Sequence, residues 1–245
     1  MFAALCALTG CSSDSIAIAA GDLGTPGVWS LSAEDRPVTG VVVYFHGADQ
    51  NAHVIQDDDK HADFFDPMLR AGYAVVAADA DGNAYGNLTS RTDYRNLISL
   101  ARAKYGDKPM YYVAESMGAL AALALLTEDT EHQVKGFVGI TPLMALPPMA
   151  RRLSYIIGPW GGRGVPDAAD PVTWPPQSFA GRDFRLYSSS TDETVPDIAG
   201  ARAFADRFGE VAHIEVLDCA GGHVAPDCYR GGDVTGWMKS LADVG

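Results

Sequence analysis

Six short apolar runs, separated by helix-like stretches, constrain this 245-residue chain more than any other feature. They are Val41-Val42-Val43-Tyr44-Phe45, Ala74-Val75-Val76-Ala77-Ala78, Met110-Tyr111-Tyr112-Val113-Ala114, Gly136-Phe137-Val138-Gly139-Ile140, Phe184-Arg185-Leu186-Tyr187 and Ala212-His213-Ile214-Glu215-Val216-Leu217. Runs that are largely apolar throughout suit strands covered on both faces. Between them, residues 59–70, 93–104, 117–126, 198–208 and 234–241 carry helix-like patterns, such as Ala201, Phe204, Ala205 and Phe208. The alternation predicts an α/β fold, with a mostly parallel central sheet, helices on both faces and right-handed crossovers. A chain this long fits one domain, expected here over 27–245, and needs neither disulfide nor metal to fold.

Residues 142–179 break the rhythm. They hold eight prolines together with Met144, Met149, Tyr155, Ile156, Ile157, Trp160 and Trp174. This reads as an irregular insertion between two strands, partly helical around 149–157, of the kind that forms a lid or binding loop. Met144, Trp160 and Trp174, with Tyr85 from a rim loop over 79–87, are candidate substrate contacts.

Charge narrows the partners. Lys and Arg number 18 against 31 Asp and Glu, a net charge of −13. A nucleic-acid binder needs a cationic footprint, and the longest basic run is Arg151-Arg152. The same balance disfavours electrostatic docking to anionic lipid. No apolar stretch reaches the roughly 18–20 residues of a membrane span.

The third apolar run leads through Ala114-Glu115-Ser116-Met117-Gly118 straight into a helix-like stretch. Small residues on either side of a serine at a strand-to-helix turn let its oxygen stand above the sheet, at a helix N-terminus. The chain here resembles the α/β-hydrolase superfamily, whose first small residue is usually glycine rather than Ala114. That resemblance implies three further features. His46-Gly47-Ala48-Asp49, after the first run, is similar to the family's oxyanion loop, with the N–H of Ala48 pairing that of Met117; His46 braces the loop. Ser190-Thr191-Asp192-Glu193-Thr194-Val195-Pro196 looks like its acid loop, with Asp192 as the acid and Glu193 and Asp197 as fallbacks. Ala220-Gly221-Gly222-His223 looks like its histidine loop. The order Ser116, Asp192, His223 is the order this fold uses.

The function implied is hydrolysis of a carboxylic ester through an acyl-enzyme on Ser116, with a small-molecule or polymeric substrate and no cofactor. An amidase or peptidase would use the same triad, with Glu115 or Asp49 supplying a charge to hold a peptide amine. A lipid-anchored binding protein without activity would not need this complete set. Two further clusters carry metal-ligating residue types. His53, Asp57, Asp58, Asp59, His61 and Asp63 match no zinc spacing, and the segment from Asp79 to Asn83 lacks the later ligands of a calcium loop.

The N-terminus carries a different signal. Met1 to Ala7 is apolar, and Leu8-Thr9-Gly10-Cys11 follows. This resembles the lipobox of bacterial lipoproteins, without the usual basic region and with a short apolar run. It implies residues 1–11 as a signal with Cys11 lipidated, residues 12–26 as a tether, and export, so that a membrane is met only through the anchor. The remaining cysteines, Cys219 and Cys228, lie nine residues apart and on either side of His223. They read as a disulfide in an oxidising compartment or as two buried thiols.

Overall fold

The computed structural model describes residues 16–162 and 164–242. Among them, strands β1 (Ile18–Asp22), β2 (Val28–Ala33), β3 (Gly40–Phe45), β4 (Tyr73–Ala78), β5 (Met110–Glu115), β6 (Val134–Ile140), β7 (Asp183–Ser188) and β8 (His213–Asp218) form one sheet. Its spatial order is β1-β2-β4-β3-β5-β6-β7-β8. From β4 to β8 every neighbouring pair is parallel. The two N-terminal strands are antiparallel to their neighbours.

Helices α1 (Val54–Asp57), α2 (Asp59–Arg70), α3 (Leu88–Tyr105), α4 (Gly118–Glu128), α5 (Ser154–Ile157), α6 (Ala201–Phe208) and α7 (Gly231–Ala242) fill the connections. On one face Tyr94, Leu97 and Ala101 of α3, the Ala/Leu run of α4, and Phe204 and Phe208 of α6 pack on Val41, Val43, Tyr112 and Ala114. On the other, Phe64, Phe65 and Met68 of α2 and Val234 and Met238 of α7 pack on Val42, Tyr44, Tyr111 and Val113. Successive strand residues alternate between these two cores, as the pleat requires, and that is why the central strands read as unbroken apolar runs. The α/β-hydrolase architecture expected from the sequence is therefore present.

One expectation is corrected. Within the segment expected as a tether, Ile18 to Asp22 form a strand paired with β2 from Ala33 to Trp29. β1 is an exposed edge strand held chiefly through its backbone, so it carries little apolar signal. The insertion is partly helical where expected: α5 has four residues, flanked by 3₁₀ turns at Ala150–Arg152 and Gly158–Trp160. Prolines supply no amide hydrogen, so this segment folds as successive short turns. Cys11, Cys6 and the lipobox lie outside the described residues.

Candidate active site

The site gathers at the carboxyl ends of the parallel strands, where ligands bind in open α/β sheets. Ser116 follows β5 directly and adopts φ 47°, left-handed for a residue with a Cβ. Such a conformation costs on the order of 1–3 kcal/mol and persists only where the surroundings enforce it. Here Ser116 N–H donates to Ile140 O at 3.1 Å, and Leu143 N–H donates to Ser116 O at 2.9 Å. Gly118 is required for a different reason. A Cβ there would lie 2.6 Å from His46 O and would also strike Phe45 O. Helix α4 therefore starts hard against the loop that follows β3. Among the described residues, no acceptor takes a hydrogen bond from the N–H of Ala48 or of Met117.

Asp192 follows β7 and His223 follows β8. His223 Nδ1 lies 2.7 Å from Asp192 Oδ2, and His223 Nε2 lies 2.8 Å from Ser116 Oγ. The other Asp192 oxygen accepts from Thr194 N–H (2.9 Å) and Val195 N–H (2.8 Å), which aims Oδ2 at the ring. The Asp192 side chain is 2% exposed and that of His223 18%, so the carboxylate is drier than the imidazole it faces. Neither fallback acid reaches His223; Asp197 pairs with Arg202 instead. The His223 loop is closed by the Cys219–Cys228 disulfide, whose Cα atoms are 5.1 Å apart. It is also held by Asp227 accepting from Ala220 N–H at 2.7 Å, and by Thr191 Oγ1 donating to Gly221 O at 2.6 Å.

A cavity of about 210 Å³ opens beside Ser116. Leu143, Pro147, Leu153, Ile156, Val195 and Ala199 line it, with Tyr85 and Tyr155 at its side. Among its lining residues none carries a carboxylate or an ammonium. Burial, with Tyr155 and Asp49 nearby, pushes the Tyr85 phenol up to about 12, so it remains a neutral hydrogen-bond donor. Trp160 supports Tyr85 from behind, its indole N–H donating to Tyr85 O at 3.1 Å.

Several expected contacts are corrected. Met144 is fully buried in the core, and the Trp174 ring lies tilted against Phe179 with its N–H donating to Ala168 O. Neither lines the cavity; apolar content of a segment does not say which way each side chain packs. Asp49 is bound to Asn83, its N–H on Asn83 Oδ1 at 2.7 Å and its Oδ1 accepting from Asn83 Nδ2 at 2.8 Å. Glu115 points to the sheet face opposite Ala114 and is 2% exposed. It accepts hydrogen bonds from Tyr44, Gln50, His61 and Tyr229. His46 lies where expected, with Nε2 2.9 Å from Asp79 O. In the two clusters of metal-ligating residue types, Asp58 caps α2 and meets His61 Nδ1 at 2.6 Å, and Asp79 accepts from Ala52 N–H.

The sheet order, the turn at Ser116 and the covered faces define a member of the α/β-hydrolase superfamily. A family model described as serine aminopeptidase, S33, matches residues 36–195, well over half of the chain. The chain belongs to this family and is a serine-hydrolase-type enzyme. No curated protein matches the sequence. Among solved structures it is similar to Est1E from Butyrivibrio proteoclasticus, at 16% identity and a TM-score of 0.66, covering 91% of this chain and 99% of that one. It is likewise similar to TT1662 from Thermus thermophilus, at 17% identity and a TM-score of 0.65, covering 92% and 98%. A third is XC6422 from Xanthomonas campestris, an α/β serine hydrolase without a lid, at 13% identity and a TM-score of 0.56, covering 93% and 94%. At such identities the likeness is one of fold.

Proposed function

We propose that this hydrolase cleaves a carboxylic ester with an apolar acyl group, using Ser116 as nucleophile, His223 as general base and acid, and Asp192 as orienting acid. The observation that carries the reading is the relay Ser116–His223–Asp192, spaced at 2.8 and 2.7 Å, at the mouth of an apolar cavity. With Asp192 accepting from Nδ1–H, the lone pair of Nε2 faces Ser116 Oγ–H. His223 takes that proton as Oγ attacks the ester carbonyl. The tetrahedral oxyanion is met by the N–H groups of Met117 and Ala48, each worth about 2.7–4 kcal/mol in such sites. His223 then protonates the departing alcohol, and an acyl group remains on Ser116. Water, activated by the same imidazole, releases the acid. Asp192 fixes the tautomer and stabilises the imidazolium without itself taking the proton.

Ester over aminoacyl amide is favoured by one observation. Holding a peptide ammonium needs a facing carboxylate, and Glu115 lies on the far side of the sheet while the cavity lining holds none. Comparing p-nitrophenyl acyl esters of increasing chain length with aminoacyl-p-nitroanilides tests the reading. Esters are expected to turn over and anilides to be inert; preference for an anilide with a free amine would overturn it. Export and lipidation at Cys11 are part of the same proposal, and the Cys219–Cys228 pair supports an oxidising compartment. Incorporation of a labelled fatty acid that survives in Cys11→Ala would refute the lipidation.

A further inference from the structure

The carboxylate next to the nucleophile is spent on something other than substrate. Glu115 ends β5, and the strand's alternation sends it to the face of Tyr111 and Val113. Four donors converge on it there. Oε2 accepts from Tyr44 Oη at 2.9 Å, from His61 Nε2 at 2.8 Å and from Tyr229 Oη, and Oε1 accepts from Gln50 Nε2. These donors come from separate parts of the site. Gln50 also accepts from Gly47 N–H at 2.9 Å, so it reaches the loop that carries Ala48. The same loop touches the carboxylate directly, because a Cβ on Gly47 would collide with Glu115 Oε1. Tyr229 follows Cys228 at the end of the His223 loop. Lys60 lies 4.2 Å above the Tyr229 ring and donates to Val224 O at 3.2 Å, which ties down the residue after His223. His61 is braced from its far side by Asp58. Ser116 is the next residue along the chain.

We propose that Glu115 is a positioning residue, whose carboxylate holds the oxyanion loop and the His223 loop in register with Ser116. The proposal rests on the ester-hydrolase reading above. One buried acceptor bonded to both loops and covalently adjacent to the nucleophile limits how far the three can drift apart. Burial pushes the Glu115 carboxyl up, but the hydrogen bonds from His61, Tyr229 and Tyr44 outweigh that and hold it below the usual carboxylate range. The group is therefore a pure acceptor at neutral pH, matched to four donors.

The test uses the whole protein with a soluble p-nitrophenyl ester, a fluorophosphonate probe and thermal melts. Glu115→Gln keeps the shape but places an amide NH2 against the Gln50 donor. Its kcat and its labelling rate at Ser116 are expected to fall about 10- to 100-fold, with KM within about threefold, as for a site loosened by a fraction of an ångström. Adding Gln50→Glu reverses donor and acceptor at that contact and conserves charge. The double variant is expected to recover at least about tenfold in kcat. A folded Glu115→Gln protein with wild-type kcat overturns the proposal, and so does a loss that Gln50→Glu leaves unrepaired. If Glu115→Gln does not fold, Tyr229→Phe and Gln50→Ala each cut one link: lowered kcat at unchanged KM in both supports the proposal, and wild-type kcat in both overturns it. A wild-type protein that neither labels nor turns over overturns the ester-hydrolase reading and this proposal with it. An active wild type with unaffected variants overturns this proposal alone.

Discussion

Replacing Gly118 by alanine would test whether the start of α4 must press against the loop after β3. The added Cβ would sit 2.6 Å from His46 O, and closer still to Phe45 O. Both are backbone atoms and cannot rotate away. To restore ordinary contact, the helix start and the loop must part by about 1 Å. That gap separates Ser116 and Met117 from Ala48, and a displacement of this size in a catalytic site costs on the order of 100-fold in rate. Overpacking adds a stability loss of about 1–3 kcal/mol. The assay is kcat and KM for a short p-nitrophenyl ester, read beside a thermal melt. Gly236 in α7 provides the control, since a Cβ there meets nothing within 4 Å. Gly236→Ala is expected to keep full activity and to gain up to about 1 kcal/mol from helix propensity. Full kcat in Gly118→Ala would refute the reasoning.

Other perturbations read different parts of the site. Asp192→Asn is expected to lower kcat about 10⁴-fold with little change in KM, because the amide favours the wrong imidazole tautomer; steady-state kinetics check this. Glu115, held below its ordinary value, stabilises the fold at pH above the unfolded carboxyl value of about 4.3, and that contribution is lost as pH falls through the lower folded value. Melting temperature measured downward from pH 6 should therefore drop on the acid side, and the drop should be shallower in Glu115→Gln. Mild reduction should lower ester hydrolysis before far-UV circular dichroism changes, because the Cys219–Cys228 bond closes the His223 loop at one end of the sheet. Equal loss of both signals, or loss of neither, would contradict that.

The parallel strands were legible because β3 to β6 are almost wholly buried, so their sequence has no reason to alternate. β1 was not, since an exposed edge strand is stabilised by backbone pairing that any residues can make. The meeting of Ser116, Asp192 and His223 was legible because a tight serine turn, an acidic loop and a glycine-rich histidine loop are each local, and their order follows the fold. The environment of Glu115 was half legible. Period-two alternation along β5 already places it opposite Ala114, away from the cavity beside Ser116. Its partners were not, because Tyr44, His61 and Tyr229 stand 71, 54 and 114 residues away in sequence. Met144 and Trp174 fail for a related reason: composition marks the insertion as apolar, whereas packing decides that Leu143 and Ile156 face the cavity and these two do not.

Covalent labelling with a fluorophosphonate, followed by peptide mass spectrometry, tests the central claim most directly. A single adduct on Ser116 is predicted, absent in Ser116→Ala and strongly slowed in His223→Ala, with ester turnover lost in step. A folded wild-type protein that takes up no label at Ser116, or a Ser116→Ala protein that still hydrolyses esters at the wild-type rate, would contradict it.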